Sequence, residues 1–527
     1  MRDIYTTARA NEKQLRPRFL PLILFAFSLF ALLLTAQHSG VAERASAKTT
    51  IAPTKKIIAS ARVLDITAAP YNAKGDGVSD DMVAINRALA DAAAATPKKS
   101  VYAPVGTFAH GGVLHDQGVM FSGTGAKTVF LALDPAEGAI ELTGVGGAIQ
   151  NCTLISPAAK NRLSSSHSAA ISVNGAIRFT IAQVSIGMVG VTGAASAGIL
   201  CADRSSSLGT LIGNQISNTL ADGIHLTAGA KDMVVSGNML TNIGDDMIAV
   251  VSYLKDGVVV SRVMIAGNHC ISQTNGRGIS VVGGEGVTID RNTIESSDVA
   301  GIYLASEDSY NTYAPQDVRV TNNTIRNANQ KHAVTHGGIY VFGRTATVGR
   351  TSVPYLAQNI TISGNTLTDT YYMGIRIGGH ASMVRVTGNH VQGTTAEGIA
   401  ISDTGDRSAG AGARDVVVSG NTVEATAWGA IKVFPSAQGA ITITNNRLAD
   451  IGTSNNPGVD AISIDPGAVG VHPLRLTGNR YDGTTPHSVR DYINCGISAA
   501  GAGTSVADIQ SGNRTTTVPP KPIAVTL

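Results

Sequence analysis

Ile360-Thr361-Ile362-Ser363-Gly364-Asn365-Thr366-Leu367 sets an apolar-x-apolar run, two further residues, an asparagine and one more apolar position in a row, and Gly374-Ile375-Arg376-Ile377 follows. Apolar residues at alternate positions with β-branched content predict strand rather than helix. The phrase recurs, with runs such as Val-Arg-Val-Thr at 318–321 and Ile-Thr-Ile-Thr at 441–444. Its asparagine falls at 214, 238, 268, 292, 323, 365, 389, 421, 446 and 479, in steps of 24, 30, 24, 31, 42, 24, 32, 25 and 33. A base period of about 24 with insertions is the mark of short strands wound into stacked coils, each burying its inward residues against the next. The expected fold is all-β, a single-stranded right-handed parallel β-helix of about 10–12 coils. The asparagines are expected to form an internal ladder, bonding side chain to backbone at one corner.

Composition agrees. Of 527 residues, 43% are apolar, 15% charged and 59 are glycine, which excludes a disordered chain and a heptad coiled coil. Forty basic against 37 acidic residues leave +3, too little over this length for a nucleic-acid groove. Cys152, Cys201, Cys270 and Cys495 lack C-x-x-C spacing and read as buried free thiols, not as a zinc site or disulfide framework.

Residues 1–18 are basic, and Phe19–Ala36 is uncharged. As a helix this apolar segment, 19–36, would span roughly 27 Å, near the minimum for crossing a bilayer and longer than a usual signal-peptide core. It is expected to anchor the chain in the inner membrane, with a linker over 37–60 and the domain outside the cytoplasm, periplasmic and membrane-anchored. Ala45-Ser46-Ala47 has the form of a cleavage site, and cleavage there would make the protein secreted. Asp76-Gly77-Val78-Ser79-Asp80-Asp81 then precedes an alanine-rich amphipathic helix, Met82–Ala95, capped by Ser79 or Asp80 and placed to cover the open end of the stack.

Tyr71-Asn72-Ala73-Lys74-Gly75-Asp76-Gly77, Asp80-Asp81 and Val101–Phe108 (VYAPVGTF) resemble the opening of pectate-lyase-like, glycoside hydrolase family 28-related β-helix proteins. The resemblance implies a β-helix domain over 61–495, with 496–527 left as C-terminal cap and tail.

Aligning the Gly-Ile-x-apolar strands puts Asp222, Asp246, Arg277, Ala300, Gly337, Met373, Glu397, Gly429 and Asp460 in one column just before them. Strands stack about 4.8 Å apart, so Asp222 and the Asp245-Asp246 pair should meet on adjacent rungs. Like charges that close push apparent pKa values apart, so that one carboxyl stays an acid while another serves as base. Ala221-Asp222-Gly223-Ile224-His225 and Gly244–Val250 (GDDMIAV) resemble polygalacturonase motifs. The resemblance implies inverting hydrolysis, with Asp246 or Asp222 as acid and Asp245 helping to activate water. The family's next two motifs are altered, to Gly276-Arg277-Gly278 and Tyr303-Leu304-Ala305. Without the usual Arg-Ile-Lys clamp, polygalacturonate itself is a poor candidate. Arg277 is left as a holder of an anionic sugar or as a counter-ion for Asp246.

Two positions after each strand glycine, alternation predicts an outward column: His225, Ala249, Ser280, Tyr303, Tyr340, Arg376, Ala400, Lys432 and Ser463. Exposed tyrosines beside cations, with Phe342, Trp428 and Phe434 in the same coils, favour an acidic polysaccharide as partner. Insertions at Glu307–Pro315, Asn327–Gly337, Arg344–Ala357 and Asp403–Asp415 are expected to build the groove. Tyr340 with His336, and Arg376 with His380, keep a uronate lyase or epimerase open as an alternative. A non-catalytic exopolysaccharide-binding or export protein is the third reading. Asp403 and Asp406 lack the spacing of a Ca²⁺ loop, and no metal or cofactor is expected.

Overall fold

The computed structural model describes residues 62–482, except 274, 333–334, 349–350, 403–411, 454–458 and 469, together with 493–495, 514–515 and 524–525. Segments 1–18, 19–36 and 37–60, and Asp403 and Asp406, lie outside the described residues, as do most of 496–527.

Three sheets with 15, 16 and 15 parallel strands run the length of the stack, the third joined by one antiparallel strand, Thr351–Tyr355, and the chain visits each in turn once per coil. The first extends from Val63–Asp65 to Gly470–Thr477, the second from Asp76–Asp80 to Arg514–Thr515, and the third from Leu114–Asp116 to Ala524–Val525. The stack is longer than the 10–12 coils expected, because the early coils are wound without the marker asparagine. It also takes in Arg514–Thr515 and Ala524–Val525, two pairs within the segment read as cap and tail.

The Gly-Ile-x-apolar phrase is the inner edge of the third sheet. An isoleucine occupies the same register position on every rung from Ile171 to Ile462, each fully buried. Each such side chain contributes about 1.5–3 kcal/mol by leaving water. The preceding glycine is sterically required: a Cβ on Gly223 would lie 2.4 Å from Leu240 Cδ2 and 2.6 Å from the Met247 carbonyl oxygen.

The asparagine ladder is continuous from Asn214 to Asn479. Each backbone N–H and each Nδ2 donates to the next asparagine's Oδ1, as in Asn268 to Asn292 at 2.9 Å for both. The same Nδ2 also donates to a carbonyl of the preceding coil, Val235 in that case, at 3.0 Å.

The helix, Met82–Ala94, packs Ile85, Ala88, Leu89 and Ala92 against the first coils. Asp81, rather than Ser79 or Asp80, holds the N-cap position, without a side-chain cap bond. Its buried carboxylate instead accepts the N–H groups of Lys74 and Gly75 at 2.6 and 2.9 Å, while Asp80 accepts that of Met82 at 3.0 Å. These aspartates order the turn into the helix. Cys152, Cys201 and Cys270 are buried free thiols, and burial pushes Cys152 and Cys270 up to about 12.

Candidate active site

The column before the third sheet carries the charged residues onto consecutive rungs. Asp222 precedes strand Ile224–Leu226, Asp245 and Asp246 precede Ile248–Val251, and Arg277 precedes Ile279–Val282. Backbone bonds lock the stagger: the Asp246 N–H donates to Asp222 Oδ1 at 3.0 Å, and the Arg277 N–H donates to Asp246 Oδ1 at 2.7 Å. One carboxylate oxygen from each of Asp222, Asp245 and Asp246 lies within 4.8 Å of the other two. Gly276 makes this packing possible, since a Cβ there would sit 2.3 Å from the Asp245 carbonyl carbon and 2.5 Å from the Asp246 nitrogen. Gly276→Ala is expected to destabilise the protein by about 1–3 kcal/mol through overpacking at backbone, read as a lower guanidinium midpoint.

Every carboxylate has a basic neighbour. His225 Nδ1 lies 2.5 Å from Asp222 Oδ2, and Arg162 donates to Asp245 Oδ2 at 2.5 Å. Arg277 approaches Asp246 Oδ1 at 3.6 Å and bonds Glu307 Oε1 at 2.8 Å. Burial raises the Asp246 carboxyl to about 6; Arg277 opposes this, while Asp222 and Asp245 add to it. Burial alone would lower His225, but Asp222, with Asp246 and Asp245 behind it, outweighs that and leaves its pKa raised. His225 Nε2 is buried without a hydrogen-bond partner among the described residues, a donor or acceptor position left over for a ligand hydroxyl. Asp245 is the most open of the three carboxylates, its side chain 27% exposed against 8% and 7% for Asp222 and Asp246.

Two segments make one wall of the resulting cleft. Leu254 N–H donates to the Asn311 carbonyl at 2.8 Å and Tyr313 N–H to that of Ser252 at 3.0 Å, which joins the segments that carry Tyr253, Glu307, Tyr310 and Thr312. Arg344, buried, holds this wall from behind through Ser306 Oγ at 2.9 Å and Asp308 at 2.7 Å. Glu307 and Arg162 were not identified from sequence. Glu307 begins an insertion that was flagged, but Arg162 reaches the site from an irregular segment 83 residues before Asp245 and leaves no local signal.

The outward column behaves differently from its expectation. His225 lines the cleft and Arg277 borders it, but Tyr303, Tyr340, Arg376 and His380 are only 5, 4, 4 and 5% exposed. Alternation did point them away from the coil interior, yet the insertions fold back as a roof instead of standing beside a groove. His336 stacks on Tyr303 at 4.9 Å between centroids, Arg376 donates to Thr335 Oγ1 at 3.1 Å, and His380 Nε2 meets Thr345 Oγ1 at 2.6 Å. Arg277 and Arg376 lie over Tyr303 and Tyr340 at 4.5 and 4.4 Å, so the rings face guanidinium groups. Burial, then Arg277 and Arg376, lowers His336 to about 3. Lys432 sits farther along, 3.6 Å from Glu397 and over Phe434.

The coils and their site thus define a parallel β-helix carrying a carboxylate cleft on one face. The family described as "Right handed beta helix region" matches residues 138–314, 197–353 and 316–507, and the chain belongs to that family. No curated relative matches by sequence. Among solved structures, the catalytic domain of a GH87 α-1,3-glucanase in complex with nigerose is similar at 17% identity and TM-score 0.52, over 75% of this chain and 67% of that one. The catalytic unit of a GH87 α-1,3-glucanase from Streptomyces thermodiastaticus strain HF3-3 is similar at 18% identity and TM-score 0.51, over 88% and 72%. A GH87 catalytic domain solved with either of two aspartates changed to alanine, each bound to sugar, gives 17% identity and TM-scores of 0.51 and 0.50, over 75% and 67%. These likenesses show the fold alone, a right-handed parallel β-helix, and do not single out family 28.

Proposed function

We propose that this chain is a glycoside hydrolase that cleaves a polysaccharide at Asp222, Asp245 and Asp246. The observation that carries the proposal is three carboxylates packed within 4.8 Å in an open cleft, one of them raised to about 6. Glycosidic cleavage needs one carboxyl that keeps its proton near neutrality and another that acts as a base or nucleophile. Asp246 is the group that stores the proton, given to the leaving oxygen directly or through the outward-facing Asp245. Asp222, on the rung below and bonded to His225, helps to hold the attacking water, and His225 Nε2 bonds a sugar hydroxyl. The GH87 domain's two substituted aspartates have the same separation along their chain as Asp222 and Asp245, which supports the reading. Carboxyls this close fall short of the ~6.5–9.5 Å usual for an inverting pair, so the inversion implied by family 28 does not follow from distance.

An uncharged polysaccharide suits the cleft better than an acidic one. Asp222, Asp245, Asp246 and Glu307 face it, and Arg162 and Arg277 are already engaged by those carboxylates. The cations meant to grip a uronate, Arg376 and Lys432, are respectively roofed over and set against Glu397. Of the residue pairs considered for a lyase, Tyr340, Arg376 and His380 are buried, and His336, half-buried, belongs to the roof itself and stacks on Tyr303. The basic 1–18 segment and the apolar 19–36 run support placing the enzyme outside the cytoplasm, in the cell envelope.

The pH dependence tests the proton assignment. Asp246 must be protonated to act, and its pKa is raised to about 6, so the rate is expected to fall as pH rises through about 6. Arg277 pulls that value down, so Arg277→Gln should move the falling limb to higher pH. A limb that stays in place, or shifts to lower pH, would count against Asp246 as the acid.

A further inference from the structure

We propose that the open pocket lined by Glu285, Tyr313, Gln316, Tyr355 and Gln358 is a second sugar-binding site, separate from the carboxylate cleft, that holds an uncharged stretch of the polysaccharide. The inference rests on the reading that the ligand is a polysaccharide. Glu285, Gln316 and Gln358 open three consecutive strands of the first sheet and pair in register, Glu285 with Gln316 and Gln316 with Gln358. At the strand spacing this column presents polar groups over about 10 Å. None of the three side chains has a hydrogen bond or ion pair among the described residues. Tyr313 and Tyr355 each stand three residues before a glutamine of the column, on neighbouring coils, and both line the pocket half-buried. Neither ring stacks on another, and neither hydroxyl has a partner among the described residues. Gly284 and Ala314, also in the lining, put no bulky side chain into the space.

A pyranose has apolar C–H faces and a rim of hydroxyls, each hydroxyl both donor and acceptor. Side-chain amides answer such a rim with donors and acceptors together, a carboxylate adds acceptors, and tyrosine rings supply apolar surface with a polar tip. Among the described residues lining the pocket there is no Lys, Arg or His, so it suits an uncharged sugar and not a uronate. A peptide strand is a poor occupant, because each of the three strands is already paired on both sides and offers the pocket side chains rather than a free edge. The pocket backs onto the cleft. Tyr253 and Thr312 line the cleft, while Val259 and Tyr313, from the same two segments, line the pocket, and Arg344, which braces this partition, lies over the Tyr355 ring at 5.2 Å. A polymer held here is kept beside the carboxylates without touching them.

The test titrates the full chain with an α-1,3-linked glucose tetrasaccharide in a calorimeter, using Asp245→Asn/Asp246→Asn as the parent so that the sugar is not consumed. Gln316→Ala/Gln358→Ala and, separately, Tyr355→Ala are then added to that parent, with thermal melting of each. A binding event is expected whose affinity falls about tenfold in either variant, through loss of the hydroxyl partners or of one ring. The two amides have no partner in the fold to lose, so Gln316→Ala/Gln358→Ala decides the matter even if Tyr355→Ala fails to fold. Binding that the amide variant leaves unchanged lies elsewhere and overturns the pocket, while the hydrolase reading survives. Absence of binding also overturns the pocket, and release of reducing ends by the wild type then judges the hydrolase reading by itself. Binding that the amide variant weakens, in a chain whose wild type releases no reducing ends, upholds the pocket and sinks the hydrolase reading.

Discussion

Asp246→Asn is expected to lower the release of reducing ends from a glucan by about 10²–10⁴-fold, the range for loss of a positioned general acid or base. The substitution is nearly isosteric, and the asparagine Oδ1 can still accept the Arg277 N–H that Asp246 Oδ1 accepts at 2.7 Å. The amide has no proton to give and carries no charge to answer Arg277, so chemistry should fail while the rung stays in place. Initial rates alongside thermal melting separate the two effects. A folded variant that keeps its activity would remove Asp246 from the mechanism. Asp245→Asn should also be strongly impaired, because the open carboxylate lies between the buried pair and the solvent-facing substrate.

The second large effect concerns the asparagine ladder. Asn292→Ala is expected to destabilise the protein by about 3–5 kcal/mol, measured by guanidinium unfolding. Asn292 Oδ1 accepts both the N–H and the Nδ2 of Asn268, and its own Nδ2 donates to the Ile265 carbonyl and to Asn323 Oδ1. All are buried, and each polar group stranded in the interior costs about 1–3 kcal/mol. Water cannot replace the lost amide without opening the corner between two coils. A change below about 1 kcal/mol would mean that the ladder is satisfied in some other way.

What could be read in advance was whatever repeats. The period-two runs, the buried isoleucine column and the ladder each recur at nearly every coil, so a single sequence contains many copies of the same instruction. The meeting of Asp222 with Asp245 and Asp246 could be read for the same reason, since register in a stack converts sequence spacing into distance. The number of coils could not, because turns before Asn214 close without the marker residue. The outward tyrosines failed for a different reason. Alternation assigns Tyr303 and Tyr340 to a face, but whether that face meets water depends on where the 327–337 insertion folds, and its Thr335 and His336 come down onto Arg376 and Tyr303. Arg162 and Glu307 reach the carboxylates from irregular segments, and irregular chain carries no period from which to infer position.

The most direct test of the central claim is to incubate the full chain with uncharged and uronic-acid polysaccharides and measure new reducing ends and ultraviolet absorbance together, with Asp245→Asn/Asp246→Asn alongside. The predicted result is reducing ends from an uncharged glucan without ultraviolet absorbance, lost in the double variant. An unsaturated, ultraviolet-absorbing product, or hydrolysis that the double variant retains, would contradict the account.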